Sequence, residues 1–156
     1  MRARLFYELK KRQLKVEEVV EVAKDDTYNE RFLDLSDQIQ VFGKQHHPHF
    51  ILDKKVDYVI TDSPFIMGFT YFDKTLPYAD EMETLMMKVN SSYESINFYL
   101  HRNHEYQEFG RNQTESQSND KALEIKKFLY KHNVQHFDVQ SGEDFINLVL
   151  EKLGIE

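Results

Sequence analysis

The sequence predicts an α/β chain, an open parallel sheet with helices on both faces. Runs rich in β-branched and aromatic residues alternate with amphipathic stretches from end to end of the 156 residues, the pattern of strands joined by crossover helices. The run "VDYVITD" leaves almost no polar face at Val56, Tyr58, Val59 and Ile60, as parallel strands covered on both sides do. Three runs end in residues of chemical use: Glu21 beside Val22, Asp62 beside Ser63, and His101 beside Arg102. In open α/β sheets, ligands bind outside the carboxyl ends of the strands.

Taken in order, Leu5, Phe6 and Leu9 recur at helical spacing among charged residues, so residues 2–13 predict an amphipathic helix. "KVEEVVEV" (15–22) predicts a strand ending on an acidic residue. Phe32, Leu35, Ile39 and Phe42 repeat at three- and four-residue steps, giving a helix over 29–45 that Pro48 should end or kink. "VDYVITD" is the next strand, and a loop carrying Gly68, Asp73 and Pro77 follows it. Met82, Leu85, Met86 and Val89 mark a helix, and "SINFYL" (95–100) a strand. The polar segment 103–120 holds almost no aliphatic residue and reads as a surface loop or lid. A helix around Ala122, Ile125 and Leu129, a short strand "HFDV" and a last helix through Phe145, Leu148, Val149 and Leu153 complete the chain. Neither a repeat nor a linker interrupts it, so residues 1–156 read as one domain.

Composition narrows the function classes. The net charge of −7 gives no overall drive toward nucleic acid or an anionic membrane. With no cysteine there is no disulfide framework and no thiolate metal site. No apolar run reaches the roughly 20 residues of a membrane span, and the N-terminus lacks a signal-peptide core. These features lead to the expectation of a cytoplasmic protein.

Several residues admit both a structural and a chemical role. Asp62 reads as a turn-forming or helix-capping aspartate ahead of Ser63 and Pro64, or as a carboxylate that holds Mg²⁺ through water or orients a hydroxyl. Glu21 reads as a solvated strand-end residue or a general base. Arg102 and Arg111, with Gly110 between them, suit a lid closing on phosphates, or a solvated charged loop. His46, His47 and His49 surround Pro48 in what reads as a solvated polar turn rather than a metal site, because no carboxylate stands at a matching spacing. Tyr71 and Phe72 could stack on a ring or belong to the core.

"VEEVVEVAKD", "IQVFGKQHHPHFILDKKVDYVITDSPF" and "RNHEYQEFGRNQTE" together resemble phage-type P-loop nucleoside/nucleotide kinase-like proteins, relatives of the ribosylnicotinamide kinase-like AAA domain. The likeness covers nearly the whole chain, and the block from Gly43 to Pro64 is its most specific part. It implies a five-stranded parallel sheet, Mg²⁺ and ATP as cofactors, and phosphoryl transfer to a small nucleoside-type acceptor. Under it, Glu21 and Asp25 fall where such kinases place substrate-binding or base carboxylates. Asp62 takes the Mg²⁺-side position, Arg102 and Arg111 are lid arginines, and Gln45 lines the acceptor site.

The chain departs from that pattern at one end. Family members begin with a strand, central in the sheet, that runs into G-x-x-x-x-G-K-[ST]; "RARLFYELKK" matches the helix after that loop. No such motif occurs here, and the glycines at 43, 68, 110, 142 and 154 are scattered. Loss of a central strand leaves two unpaired edges. The resemblance then implies a true start farther upstream, a truncated remnant, or a non-catalytic derivative whose sheet is rearranged or completed by another chain, copies of this one included. The expected function is kinase-like phosphoryl transfer, impaired because the phosphate-binding loop is absent. The alternative is a non-catalytic nucleotide-binding or protein-interaction derivative.

Overall fold

The computed structural model describes residues 1–101, 114–140 and 143–155. Helix α1 (Arg2–Lys11) leads to β1 (Val16–Val19), then α2 (Val22–Tyr28), α3 (Phe32–Ser36) and α4 (Gln38–Leu52). After β2 (Tyr58–Thr61) come a 3-10 helix (Phe65–Thr70), α5 (Ala79–Ser91), β3 (Phe98–His101), α6 (Glu115–Lys131), β4 (Phe137–Gln140) and α7 (Glu143–Leu153).

Among the described residues the expected single open sheet is replaced by two two-stranded sheets, β1–β2 and β3–β4. Both are parallel. Val16 stands opposite Tyr58 and Val19 opposite Thr61 in the first, Phe98 opposite Phe137 and His101 opposite Gln140 in the second. Among the described residues each of the four strands pairs along one edge only, and every residue of β2 is half-buried despite its apolar sequence.

Two cores flank the strands. On one side Leu5 and Leu9 of α1, Val16 of β1 and Phe145, Ile146, Val149 and Leu150 of α7 form a cluster against which Tyr58, Ile60, Phe98 and Val139 pack. All four strands therefore lie on this one core. On the other side the 3-10 helix, α5 and α6 contribute Ile66, Phe69, Met82, Met86, Phe128 and Leu129, with Tyr99 packed against them. Phe98 and Tyr99, adjacent in β3, meet opposite cores because successive strand residues point to opposite faces.

Four local expectations need correction. The predicted helix over 29–45 is broken at Asp37, whose carboxylate accepts the Gln40 backbone N–H at 3.1 Å and caps α4. Pro48 does not end α4. It removes one backbone donor, but buried Gln45 and His49 anchor the helix on either side, His49 against the Phe65 ring at 4.6 Å. The stretch read as a loop after β2 is a core element, with Phe65, Ile66, Phe69 and Phe72 all buried. Of the polar segment 103–120, residues 103–113 lie outside the described residues, whereas Glu115 to Asp120 form the first turns of α6. A capping box starts that helix: Gln117 N–H donates to Thr114 Oγ1, and the Gln117 side chain accepts from Thr114 N–H.

Candidate functional site at the ends of β1 and β2

At the carboxyl ends of β1 and β2, one guanidinium organises two carboxylates. Arg2, in the first turn of α1, donates from Nη1 to Asp62 at 2.7 Å and from Nε to Glu18 at 3.1 Å. A cation in a helix's first turn opposes the helix dipole, so Arg2 is placed there by its partners rather than by the helix. Asp62 remains about half exposed, its side chain at 54 %.

Beside this group, Glu21 is the N-cap residue of α2, in an extended conformation and half-buried. The next residue, Val22, donates its backbone N–H to Gln45 Oε1 at 3.2 Å. Gln45 is 5 % exposed, and this bond from α4 satisfies one of the amides that a helix start leaves open. The structure thus brings Gln45 to Glu21's end of α2, and Asp62 to Glu18.

The neighbouring aspartates divide differently from the sequence expectation. Asp25 is exposed, while Asp26 is 2 % exposed and turned toward α4. Its carboxylate lies 3.4 Å from Arg31 Nε and 3.7 Å from Lys44 Nζ. Asp26 was missed because its burial depends on helical phase. Once α2 starts at Val22, residue 26 falls one turn on, on the same face. Without that start, residues 25 and 26 are indistinguishable.

The histidines are not in a solvated turn. All three lie within α4. His49 is buried, its Nδ1 3.0 Å from the Gln45 carbonyl oxygen, and burial holds its pKa below the ordinary 6.5. His46 stands with Phe42, Phe65 and Tyr93, its Nε2 3.4 Å from the Tyr93 hydroxyl. Tyr71 follows the 3-10 helix. It is 48 % exposed with Lys121 Nζ 4.6 Å from its ring centre, whereas Phe72 is core. Arg102 and Arg111 lie outside the described residues.

A second polar group gathers around Asp138 of β4. Asp138 Oδ1 lies 2.7 Å from His101 Nε2 and 3.4 Å from Lys126 Nζ, and its other oxygen 3.6 Å from His136 Nε2. The hydrogen bond with His101 holds Asp138 below the ordinary carboxylate value. Away from both strand ends, an open hollow of about 410 Å³ lies between α5 and the end of α6, lined by Asp80, Glu83, Lys88, Lys131 and His132.

Asp62 already accepts from Arg2, and no group of three or more His, Asp or Glu among the described residues is arranged to hold a metal ion. What the arrangement offers is a set of acceptors, a fixed cation and a buried amide, suited to an uncharged or weakly charged polar molecule. No helix among the described residues is long and apolar enough to cross a membrane. No family model, curated protein or solved structure matches the chain.

Proposed function

We propose that this chain binds a small nucleoside-type acceptor at the carboxyl ends of β1 and β2, in a nucleoside/nucleotide kinase-like framework whose phosphoryl transfer from ATP is impaired. The observation that carries the reading is the convergence there of Glu18 and Asp62 on Arg2, with Gln45 fixing the start of α2 next to Glu21. Ligands of parallel α/β proteins collect at such strand ends. The strand pairing adds support, because a five-stranded parallel sheet without its middle strand would divide into two parallel pairs such as these.

In this reading Glu21 orients an acceptor hydroxyl and Gln45 holds the site's wall. Asp62 takes the phosphoryl side, and Arg102 and Arg111 act as lid cations. No step is assigned to ATP or Mg²⁺, since the described residues build no site for them.

Titration calorimetry with a panel of nucleosides and nucleoside monophosphates tests the proposal. At least one should bind, Glu21→Gln should weaken it, and Mg·ATP should bind weakly or not at all. No binding by any member of the panel overturns the acceptor reading. Tight Mg·ATP binding overturns the claim of impairment.

A second reading, a protein-interaction chain, is favoured by the half-buried β2 with its one-sided pairing and by the exposed Phe32 and Leu33 of α3 and Phe50 of α4. Light scattering separates the two: a monomer at all concentrations removes self-association from consideration.

A further inference from the structure

Helix α4 is polar where it is buried and apolar where it is exposed. A surface helix ordinarily turns its apolar stripe inward and charged residues outward. In α4 the buried positions are Gln45 and His49, whereas Ile39, Phe50 and Ile51 are exposed, Phe50 at 66 %. Its 15 residues include no acidic residue and one formal cation, Lys44, in a chain of which 30 % is charged. Lys44 itself leans toward Asp26, 3.7 Å away.

The outer face has a regular shape. Ile39, Gly43, His47 and Ile51 are all exposed and stand four residues apart, so they form one ridge about 18 Å long. Phe50 lies beside its end. Nothing lies within 4 Å of the place a Cβ on Gly43 would take, which leaves an open notch near the middle of the ridge where another backbone can come close. The short helix α3 packs against α4 and buries none of its own residues, and its Leu33 is 84 % exposed. A helix without a charged outer face is ordinarily covered, and none of the described residues covers this one.

We propose that the outer face of α4 is the contact surface of a homodimer, packed against α4 of a second copy. A two-fold contact sets the same patch against itself, so the patch must be compatible with its own charge. The net charge of −7 makes two copies repel over most of their surface, and they meet with least repulsion at a face that has no acidic residue. Interdigitated ridges of this spacing are the commonest way two helices pack, and the notch at Gly43 sets the crossing point. Apolar and aromatic side chains with few charges are also the composition of an interface centre. One helix face offers less than the roughly 800 Å² per partner of a stable interface, so α3 enlarges the contact and the dimer is a weak one, dissociating at micromolar concentrations. Self-association here is independent of acceptor binding at the strand ends, and it lies on α4 rather than on the edge of β2.

Sedimentation equilibrium of the full chain from roughly 5 to 500 µM tests the dimer. The unaltered protein should pass from monomer to dimer within that range. Gly43→Glu places a charge in the notch, where the monomer has open space, and replaces a poor helix former. It should weaken the dimer at least about tenfold with an unchanged circular dichroism spectrum. Phe50→Glu should do the same, and it carries the test should Gly43→Glu not fold. Leu123→Glu, the same change of charge at an exposed residue of α6, should leave the dimer as it is. A monomer at every concentration overturns the proposal. A dimer untouched by both α4 variants overturns it by placing the contact elsewhere, the edge of β2 included. Equal weakening by Leu123→Glu overturns it as well, because general charge repulsion would then account for the loss.

Discussion

The two parallel strand pairs share a core and a local geometry, yet they treat their polar residues in opposite ways. Around β1 and β2, titratable and amide groups are hidden: Asp26, Gln45 and His49 are all buried, and two of them keep unpartnered atoms. Around β3 and β4, Asp138 stays 46 % exposed and is surrounded by His101, His136 and Lys126. A buried polar group with an idle atom costs stability, whereas an exposed satisfied cluster costs little and contributes little. The first pair therefore carries buried polar groups that cost the fold stability, whereas the charges around the second lie at the surface.

The largest effect should come from the core that both pairs lean on. Leu9 is 1 % exposed and sits in the cluster with Val16, Phe145 and Val149, against which residues of all four strands pack. Leu9→Ala should cost about 2–5 kcal/mol, the range for buried leucine truncations. If the pairs form one cooperative unit, urea unfolding followed by circular dichroism and by tyrosine fluorescence should shift together. Two separated transitions would show that the pairs fold independently, and the contrast between them would then be one between separate units.

Much of this frame was legible in the residues. Apolar spacing located α1, α5, α6 and α7, and β-branched runs located all four strands, because burial of one face imposes a period that needs no knowledge of the partner. The errors fall where a single contact overrides periodicity. The Asp37 cap splits what Phe32 to Phe42 write as one stripe, and Pro48 sits in α4 because Gln45 and His49 are held from outside the helix. Residues 65–70 form a 3-10 helix too short to show a period, so its buried aromatics read as loop. At the site, Glu21, Gln45 and Asp62 were visible as strand-end or motif residues. Arg2, Glu18 and Asp26 were not, since each depends on a contact distant in sequence or on the phase of a seven-residue helix.

A middle-sized effect should separate the pairs by pH. Unfolded, His49 titrates near 6.5; folded, burial holds it lower, with the charge of His46 adding to the shift and the Gln45 carbonyl opposing it. The unfolded state thus takes up the proton first as pH falls, so stability is whole above 6.5 and declines below it until the folded pKa is passed. His49→Phe keeps an aromatic ring beside Phe65 and Tyr93 and should flatten the fall in denaturation midpoint between neutral pH and about pH 5. An unchanged slope would mean that His49 is not buried as described.

The smallest effect belongs to the β3–β4 pair, and its pH window is different. Asp138 has its folded pKa lowered from 3.8, first by the hydrogen bond with His101, against an opposing effect of burial, and then by the charge of Lys126. For a lowered carboxylate, the stabilisation is complete above the unfolded value and is lost as pH falls through the folded one. Asp138→Asn should therefore lower the denaturation midpoint slightly and uniformly from neutral pH down to about pH 4, and the two proteins should converge in stronger acid. The same exposure that makes Asp138 easy to satisfy makes this contribution small and sensitive to salt. Raising the ionic strength should shrink the difference further at neutral pH. A difference that persists in acid or resists salt would place Asp138 in a buried polar network like that of Asp26, and the two strand pairs would no longer be opposites.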